Sequence, residues 1–454
     1  MDKTLRPRYL AIAAALQRDI EAGHLPAGTR LPTHRDLAFQ LGVTVGTVSR
    51  AYDEADRRGL IQGEVGRGTF VLPRLGAGLI ELDPEAHGLF DLSVSRPPDN
   101  AAAPELREAL AALSHRRDLP HLLSYQPEAG LPAHRAAGAA WLERATGLIA
   151  DPERLFVVSG AQHGLYAALA AFARPGEVVL TEALTYPGIK LIANQLGIAL
   201  QPVAMDEDGL QPEALEAACQ RWRPRALVTV PTIHNPTSAI LPEPRRREIA
   251  AIARRHELLV IEDNIYGFLA PEQVTHLAEL APERVIHVTS LSKSMAPGLR
   301  VGYVLAPEAL VPRLGAVLRG SVWMTAPLLG EIARLWIEGG MGDRLAAERL
   351  ADAHARQALA ARYLAGQRIT TKPSSFHLWL QLPEPWRASE FVALARRRGV
   401  LVTAPEAFVV GREEAPHAVR VCLSAVSTIE RLETALGILS GLLAAPAGAD
   451  LAVV

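Results

Sequence analysis

Six short apolar runs recur between residues 155 and 306 with helical stretches between them: Leu155 to Ser159, Glu177 to Thr181, Ala226 to Val230, Leu258 to Glu262, Arg284 to Thr289 and Val301 to Ala306. Strands that alternate with helices predict a mostly parallel sheet covered by helices. Ligands of such sheets sit at the carboxyl ends of the strands. The polar segments of this chain fall at those ends. Gly160-Ala161-Gln162-His163-Gly164 follows the first run, and small residues at a strand-to-helix turn expose amide groups and a positive dipole to a phosphate. Pro231 to Thr237, with Asn235 ahead of a proline, follows the third. Glu262-Asp263-Asn264-Ile265-Tyr266 closes the fourth, and a carboxylate emerging from an apolar strand is costly unless it is paired.

The fifth run leads into Val288 to Tyr303, reading VTSLSKSMAPGLRVGY. Lys293 stands there between two serines, just after a run that reads as a buried strand. A buried lysine loses its proton readily and attacks aldehydes, forming the Schiff base that holds pyridoxal 5'-phosphate (PLP). An ordinary strand-to-loop lysine reads equally well from this segment alone. Lysine is scarce: Lys3, Lys190, Lys293 and Lys372 are the only four in 454 residues. Of the other three, only Lys190 lies near a segment singled out here.

A hydrophobic share of 49% with 21% charged residues fits a soluble globular protein with a sizeable core. Cys219 and Cys422 lack metal-type spacing, which fits a reducing cytoplasm and inert thiols. No metal site is expected. The first ten residues have no apolar h-region, and the stretch Ala435 to Ala449 is too short and too broken by glycine and proline to span a bilayer. It reads as the end of a packed helix and a loose tail. A cytoplasmic protein with no membrane partner is therefore expected.

Residues 1–74 carry eleven Lys and Arg against eight Asp and Glu, a local +3, while the whole chain is formally −2. A mildly basic front on an acidic body suggests a polyanion partner for the front. Its apolar spacing predicts helices from Arg8 to Gly23, Thr33 to Leu41 and Thr44 to Arg58. A hairpin follows, with Leu60 to Gln62 and Thr69 to Val71 on either side of a glycine-rich turn. Two short helices joined by a glycine turn form a helix-turn-helix, and the hairpin is suited to be its wing.

The segments LPTHRDLAFQLGVTVGTVSRAYDEADRRGLI and GRGTFV resemble the winged helix-turn-helix of the GntR family. By that resemblance Arg35, Thr44, Gly46, Thr47 and Arg50 face double-stranded operator DNA, with Arg67 on the wing. Val45 and Ser49 depart from the arginines that many relatives carry there. From Phe90 to about Ser440 the chain resembles a fold-type I, aspartate-aminotransferase-like PLP domain, and as a whole it resembles the MocR group of regulators. The resemblance implies an α/β chain with a winged module at residues 1–72, a linker at 73–89 and a PLP-binding domain at 90–454. That domain would pair a large, mostly parallel sheet with a smaller α+β subdomain from about residue 330.

Residue by residue, the resemblance makes Lys293 the Schiff-base lysine and Asp263 the partner of the pyridine nitrogen. Asn235 and Tyr266 would donate to the ring's phenolic oxygen, and Tyr186 would stack on the ring. Gly160, Ala161, Gln162, Ser290, Ser292 and Arg300 would hold the phosphate. Tyr125 would reach the neighbouring subunit's phosphate in a homodimer, and Arg420 would grip the carboxylate of an amino acid. Read without the resemblance, Asp263 reads as a helix cap, Tyr186 and Tyr266 as core aromatics, and Arg420 as a solvated strand residue. His163 and His234 read as ordinary loop histidines. The triplets Arg245 to Arg247 and Arg396 to Arg398 are expected to be solvated helix faces.

Two functions follow. The chain is a transcriptional regulator sensing PLP, an amino acid or an amine, or it is a PLP-dependent aminotransferase with an accessory DNA-binding module. The fused helix-turn-helix favours the regulator, with any transamination secondary. Effector, operator, target genes and the sign of regulation lie beyond one sequence.

Overall fold

The computed structural model describes residues 7–21, 24–25, 29–57, 60–64, 68–71, 88–97, 102–270, 274–411 and 414–444. At the amino end α1 (Arg8–Glu21) packs across α3 (Val45–Arg57), with α2 (His34–Leu41) beside it. Thr33 caps α2 by accepting the Asp36 amide at 3.2 Å, and Gly42 closes it in the left-handed region at φ 59°. Thr44, expected inside the third helix, caps it instead: its Oγ1 accepts the Thr47 amide at 3.2 Å. Val48, Tyr52 and Ala55 of α3 meet Ile20, Leu31 and Ala38 in a small core. The hairpin of β1 (Ile61–Glu64) and β2 (Gly68–Val71) closes this core with Ile61 and Val71.

The central sheet explains the spacing of the six runs. Its strands are β4 (Leu155–Val158), β5 (Val178–Glu182), β6 (Ala199–Val203), β7 (Ala226–Thr229), β8 (Leu259–Asp263), β9 (Val285–Ser290) and β10 (Gly302–Leu305), with β3 (Phe90–Asp91) lying outside it. Their order is β4-β10-β9-β8-β7-β5-β6, and β10 alone runs antiparallel to its neighbours. Side chains alternate between two cores, as a period of two requires. Leu155, Val157, Leu180, Leu227, Val260 and Val285 face one core; Phe156, Val158, Val179, Val228, Ile261 and Ile286 face the other. Because six strands share one direction, Ser159, Asp263 and Ser290 emerge at one edge, with Gly302 at the start of β10 paired to Ser290.

The smaller subdomain places β11 (Ile369–Thr370), β12 (His377–Gln381) and β14 (Ala418–Cys422) in an antiparallel sheet, while β13 (Val400–Leu401) pairs in parallel with β3. Its core joins Leu92 to Leu378, Leu380, Phe391, Val419, Val421 and Leu436. No helix among the described residues is long and apolar enough to cross a membrane. The helix Ile429–Ala444 contains the apolar start of the carboxyl-terminal stretch, and residues beyond 444 lie outside the described ones.

The first arginine triplet departs from expectation. Arg246, read as part of a solvated triplet, is fully buried. Its guanidinium donates to Leu241 O (2.8 Å), Pro231 O (2.8 Å) and Thr232 Oγ1 (3.0 Å), and Nη1 lies 3.8 Å from Glu262. Arg245 and Arg247 do meet carboxylates at the surface, Asp206 and Glu243. Helical spacing turned the middle residue inward, where a buried carboxylate needed it. Arg246→Met should therefore destabilise the chain by about 3–5 kcal/mol by removing the cation beside buried Glu262 and leaving three acceptors unpaired. Urea unfolding followed by tryptophan fluorescence measures this, and a loss below about 1 kcal/mol would refute the assignment.

Candidate functional site

At the end of β4 the chain turns through Ser159 and Gly160 into the helix Ala161–Phe172. Gly160 has φ 84°, and a Cβ there would lie 2.6 Å from Arg300 Nη2, so only glycine fits. Arg300 donates to Ser159 O at 3.1 Å and reaches Ser292 Oγ at 3.5 Å. Ser290 Oγ donates to Ser292 Oγ at 2.9 Å, and the Ser292 amide donates back to Ser290 Oγ at 3.1 Å. A guanidinium, two hydroxyls and the first amides of a helix, from Ala161 and Gln162, thus converge on one turn. That donor set suits a phosphate. Gln162 buries Oε1 without a hydrogen-bond partner and sends Nε2 toward Gly188 O at 3.4 Å.

Lys293 lies in the turn after β9 and points inward, its amine donating to Ser95 O. Burial pushes its pKa down to about 8; Arg420 and Arg300 reinforce this while Cys422 and Asp263 oppose it. A sizeable fraction of such an amine is neutral near physiological pH, as a nucleophile requires. Lys190, the other inward lysine, is spoken for: it donates to Glu406 O and Ala407 O at 3.2 and 3.1 Å.

Asp263 ends β8, 1% exposed, and among the described residues accepts only the Ile265 amide, at 3.3 Å. Burial pushes its carboxyl up to about 7, against the pull of that amide, His287 and Lys293. The preceding residue behaves oppositely. Glu262 points to the other face of the strand and accepts the Leu277 and Ala278 amides (3.1 and 3.2 Å) and His287 Nδ1 (3.0 Å). Burial opposes its charge, yet His287, His276 and Arg246 hold its pKa down at about 2. Glu262, His276 and His287 are close enough to one another to hold a metal ion. The Arg246 guanidinium beside them already supplies the positive charge, so the cluster reads as a structural brace.

Asn235 follows Ile233, a β-branched residue at φ 52°. That backbone is strained for isoleucine, and such strain is held only where surroundings fix it. Here Arg246 grips Pro231 O, and His377 Nε2 meets His234 O at 3.0 Å. Asn235 Oδ1 then accepts Arg420 Nη1 at 2.7 Å. Arg420 is 6% exposed, with its guanidinium 4.8 Å from the Phe408 ring centre. Its Nη2 donates to Ser93 O and to Thr403 Oγ1 (3.3 Å), while Nε is buried without a partner. Tyr266 is buried and donates to Ser95 Oγ at 2.8 Å; burial raises its pKa. Tyr186 packs over Gly188, where a Cβ would lie 2.2 Å from the ring. Burial raises its pKa too, and the charges of Asp263, Arg420 and Arg300 all reach it.

Lys293, Asp263, Asn235, Tyr266, Tyr186 and Arg420 are therefore brought together beside the Gly160–Arg300 turn. Tyr125 stands apart: it is 83% exposed and rests against Trp323, with ring centres 5.6 Å apart. His163 and His234 are not free loop histidines. His163 accepts the Ser159 amide at 3.2 Å, and His234 is buried against Thr237 at 2.9 Å. Sequence reasoning missed Ser93, Ser95, Thr403 and Phe408, which touch the site from segments without a motif.

On the amino-terminal module Arg35, Thr44, Gly46 and Arg50 are exposed and Thr47 half-buried, all on α2, on α3 or at its cap. Ser49 is turned toward His34, with Oγ 3.1 Å from Nδ1, and Val45 is 44% exposed. Arg67 lies outside the described residues.

Residues 87–439 match the family described as aminotransferase class I and II, and residues 8–71 match the bacterial regulatory proteins of the gntR family. The chain is 34% identical to an uncharacterized HTH-type transcriptional regulator of Bacillus subtilis, YdeF, over 98% of this chain and 96% of that one. It is 29% identical to the vitamin B6 salvage pathway transcriptional repressor PtsJ of Salmonella typhimurium, over 92% and 94%. An archaeal alanine:glyoxylate aminotransferase shares its fold with a TM-score of 0.73 at 23% identity, covering 80% of this chain and 92% of that one.

Asp263 generates a pH test. An acid whose folded pKa lies above its ordinary value of 3.8 stabilises the fold fully below that value, and this contribution is lost as pH rises to about 7. With any bound cofactor removed, wild type should therefore lose roughly 1–4 kcal/mol relative to Asp263→Asn between pH 4 and pH 7. Parallel urea-unfolding curves for the two proteins would refute the burial argument.

Proposed function

The chain belongs to the aminotransferase class I and II family, with a GntR-type module in front as in MocR-type regulators, and from that membership we propose that it is a PLP-dependent transcriptional regulator. Its ligand is PLP itself, or an amino acid or amine that meets PLP in the site. The observation that carries this reading is the convergence of Lys293, Asp263 and the Asn235–Arg420 pair in a chain that also presents Arg35, Thr44 and Arg50 on a helix-turn-helix.

The residues fit PLP. The turn at Gly160 with Ser290, Ser292 and Arg300 would hold its phosphate, and a buried, poorly paired Asp263 would gain a cationic ring N–H as partner. Tyr186 would lie against the ring, and Asn235 and Tyr266 would meet its phenolic oxygen. When bound, PLP supplies an aldehyde for amines and a ring that withdraws electrons. The chain's own part is to keep the Lys293 amine partly unprotonated by burial, to hold a proton near Asp263 and to orient a carboxylate on Arg420. The first amides of α3 and the exposed Arg35 and Arg50 would meet DNA phosphates and base edges.

A homodimer is part of this reading. Leu123, Tyr125, Val322 and Trp323 leave an exposed apolar group around a residue expected to reach a partner's phosphate. The site also carries a full set of groups for moving an α-proton, which favours retained transamination as a second activity. Neither activity requires the other.

Lys293→Ala should abolish the visible absorbance of lysine-bound PLP; retention of that band would transfer the role to another amine. Arg50→Ala should weaken binding to the DNA upstream of its own coding sequence by about 1–3 kcal/mol, with wild-type affinity falling steeply as salt rises. A wild-type holoprotein that turned over amino acids at ordinary rates but bound no such DNA at moderate salt would reverse the order of the two activities.

A further inference from the structure

The segment that follows β3 crosses the site. Asp91 folds it by accepting the Ser93 amide (2.9 Å) and the Ser93 hydroxyl (2.6 Å) on one oxygen. Ser93 O then accepts both Arg420 Nη2 and Thr403 Oγ1, the latter at 2.8 Å. Two residues on, Ser95 O accepts the Lys293 amine and Ser95 Oγ accepts the Tyr266 hydroxyl at 2.8 Å. Three of the groups assigned to cofactor and carboxylate are thus hydrogen-bonded to a stretch of three residues.

Guanidinium geometry makes this contact competitive. A carboxylate gripped by two parallel bonds takes either the Nε and Nη2 edge or the Nη1 and Nη2 edge, and Nη2 belongs to both. On Arg420, Nη2 is the group held by Ser93 O and Thr403, Nη1 is committed to Asn235, and Nε has no partner. The edge that costs least to use is Nε with Nη2, because it satisfies the orphan nitrogen, leaves the Asn235 bond in place and competes only with Ser93 and Thr403.

We infer that the Ser93 to Ser95 segment is a strap whose hold on Arg420 through Ser93 O, which does not depend on the groups PLP would take, is displaced by a ligand carboxylate, so that amino acids release this segment whereas amines lacking a carboxylate do not. The inference rests on the proposed reading that the site takes PLP and an amino acid. Its consequence is regulatory. The strap is anchored upstream by Phe90 and Leu92, whose amides donate to Gly399 O and Leu401 O at 2.8 and 2.9 Å. The chain from there runs back through residues 72–87 to the winged module, the covalent path between site and DNA reader. A ligand that binds the released strap better than the docked one shifts the population by that difference in affinity.

The test uses PLP-loaded full chain and hydrogen–deuterium exchange of the peptide covering residues 91–96, whose Leu92 and Ser93 amides are hydrogen-bonded. Each common amino acid is added in turn, with ethylamine as the amine lacking a carboxylate, and the cofactor's absorbance reports binding. An amino acid that shifts the absorbance should speed exchange in this peptide by roughly tenfold, while ethylamine shifts the absorbance without that effect. Unchanged or slower exchange with such an amino acid overturns the strap, as does faster exchange with ethylamine. If no amino acid shifts the absorbance, the proposed ligand class fails and the strap with it. Thr403→Val weakens the competitor, so it should speed exchange without ligand and lower the amino-acid concentration for half-maximal shift several-fold. A higher concentration would mean that Thr403 serves the ligand and not the strap.

Discussion

The end of β8 sets two carboxylates side by side, and the difference between them organises the site. Glu262 and Asp263 leave an apolar strand on opposite faces, both buried. On one face Glu262 finds two helix amides, a histidine and, close by, a guanidinium, so its charge is matched and the strand is pinned to the helices Glu243–Arg255 and Leu277–Leu280. On the other, Asp263 finds one backbone amide, and burial drives its pKa toward neutrality. A buried carboxylate left so poorly paired costs stability, the cost that the proposed ligand would relieve.

Rigid support on one face makes that arrangement possible. Arg246 ties Glu262's strand to the loop carrying Pro231 and Thr232, and the same loop, bent through Ile233, delivers Asn235. His377 of the smaller subdomain holds His234 O, and Ser238 Oγ lies 2.9 Å from Ser375 Oγ. Asn235 is therefore fixed from both subdomains, and so is Arg420, which spans from β14 to Asn235. A guanidinium placed at such a junction depends on the relative position of its two supports.

Much of this was legible in the sequence. The six apolar runs are strands because alternating residues feed two cores, and the polar segments mark one edge because six strands share a direction. Lys293, Asp263 and Asn235 could be singled out because each stands at or just after a strand end in a short context that resembles the family's. What stayed hidden depends on tertiary approach. Arg246 sits in a triplet that looks solvated until helical phase turns it onto Glu262. Ser93 and Ser95 lie in a short polar stretch with no periodicity, and only the fold carries them some 200 residues along the chain to Lys293. Thr403 and Phe408 likewise gain meaning only from contact with Arg420.

The same folding-back bears on whether this scaffold reports or catalyses. An enzyme benefits when binding energy is spent in the transition state, so contacts that the ground-state substrate must break before it docks reduce affinity without speeding chemistry. A sensor benefits from such contacts, because ligand affinity that differs between two arrangements is the only means by which occupancy changes conformation. Ser93 and Ser95 occupy donors on Arg420, Lys293 and Tyr266 through backbone and hydroxyl groups of modest individual worth. The bond to Arg420 is weak enough for a carboxylate to displace, and together the three commit the strap to one position. Placing them on the segment that follows the DNA-binding module in sequence, instead of on a loop with no onward connection, is what a signalling role asks of this fold.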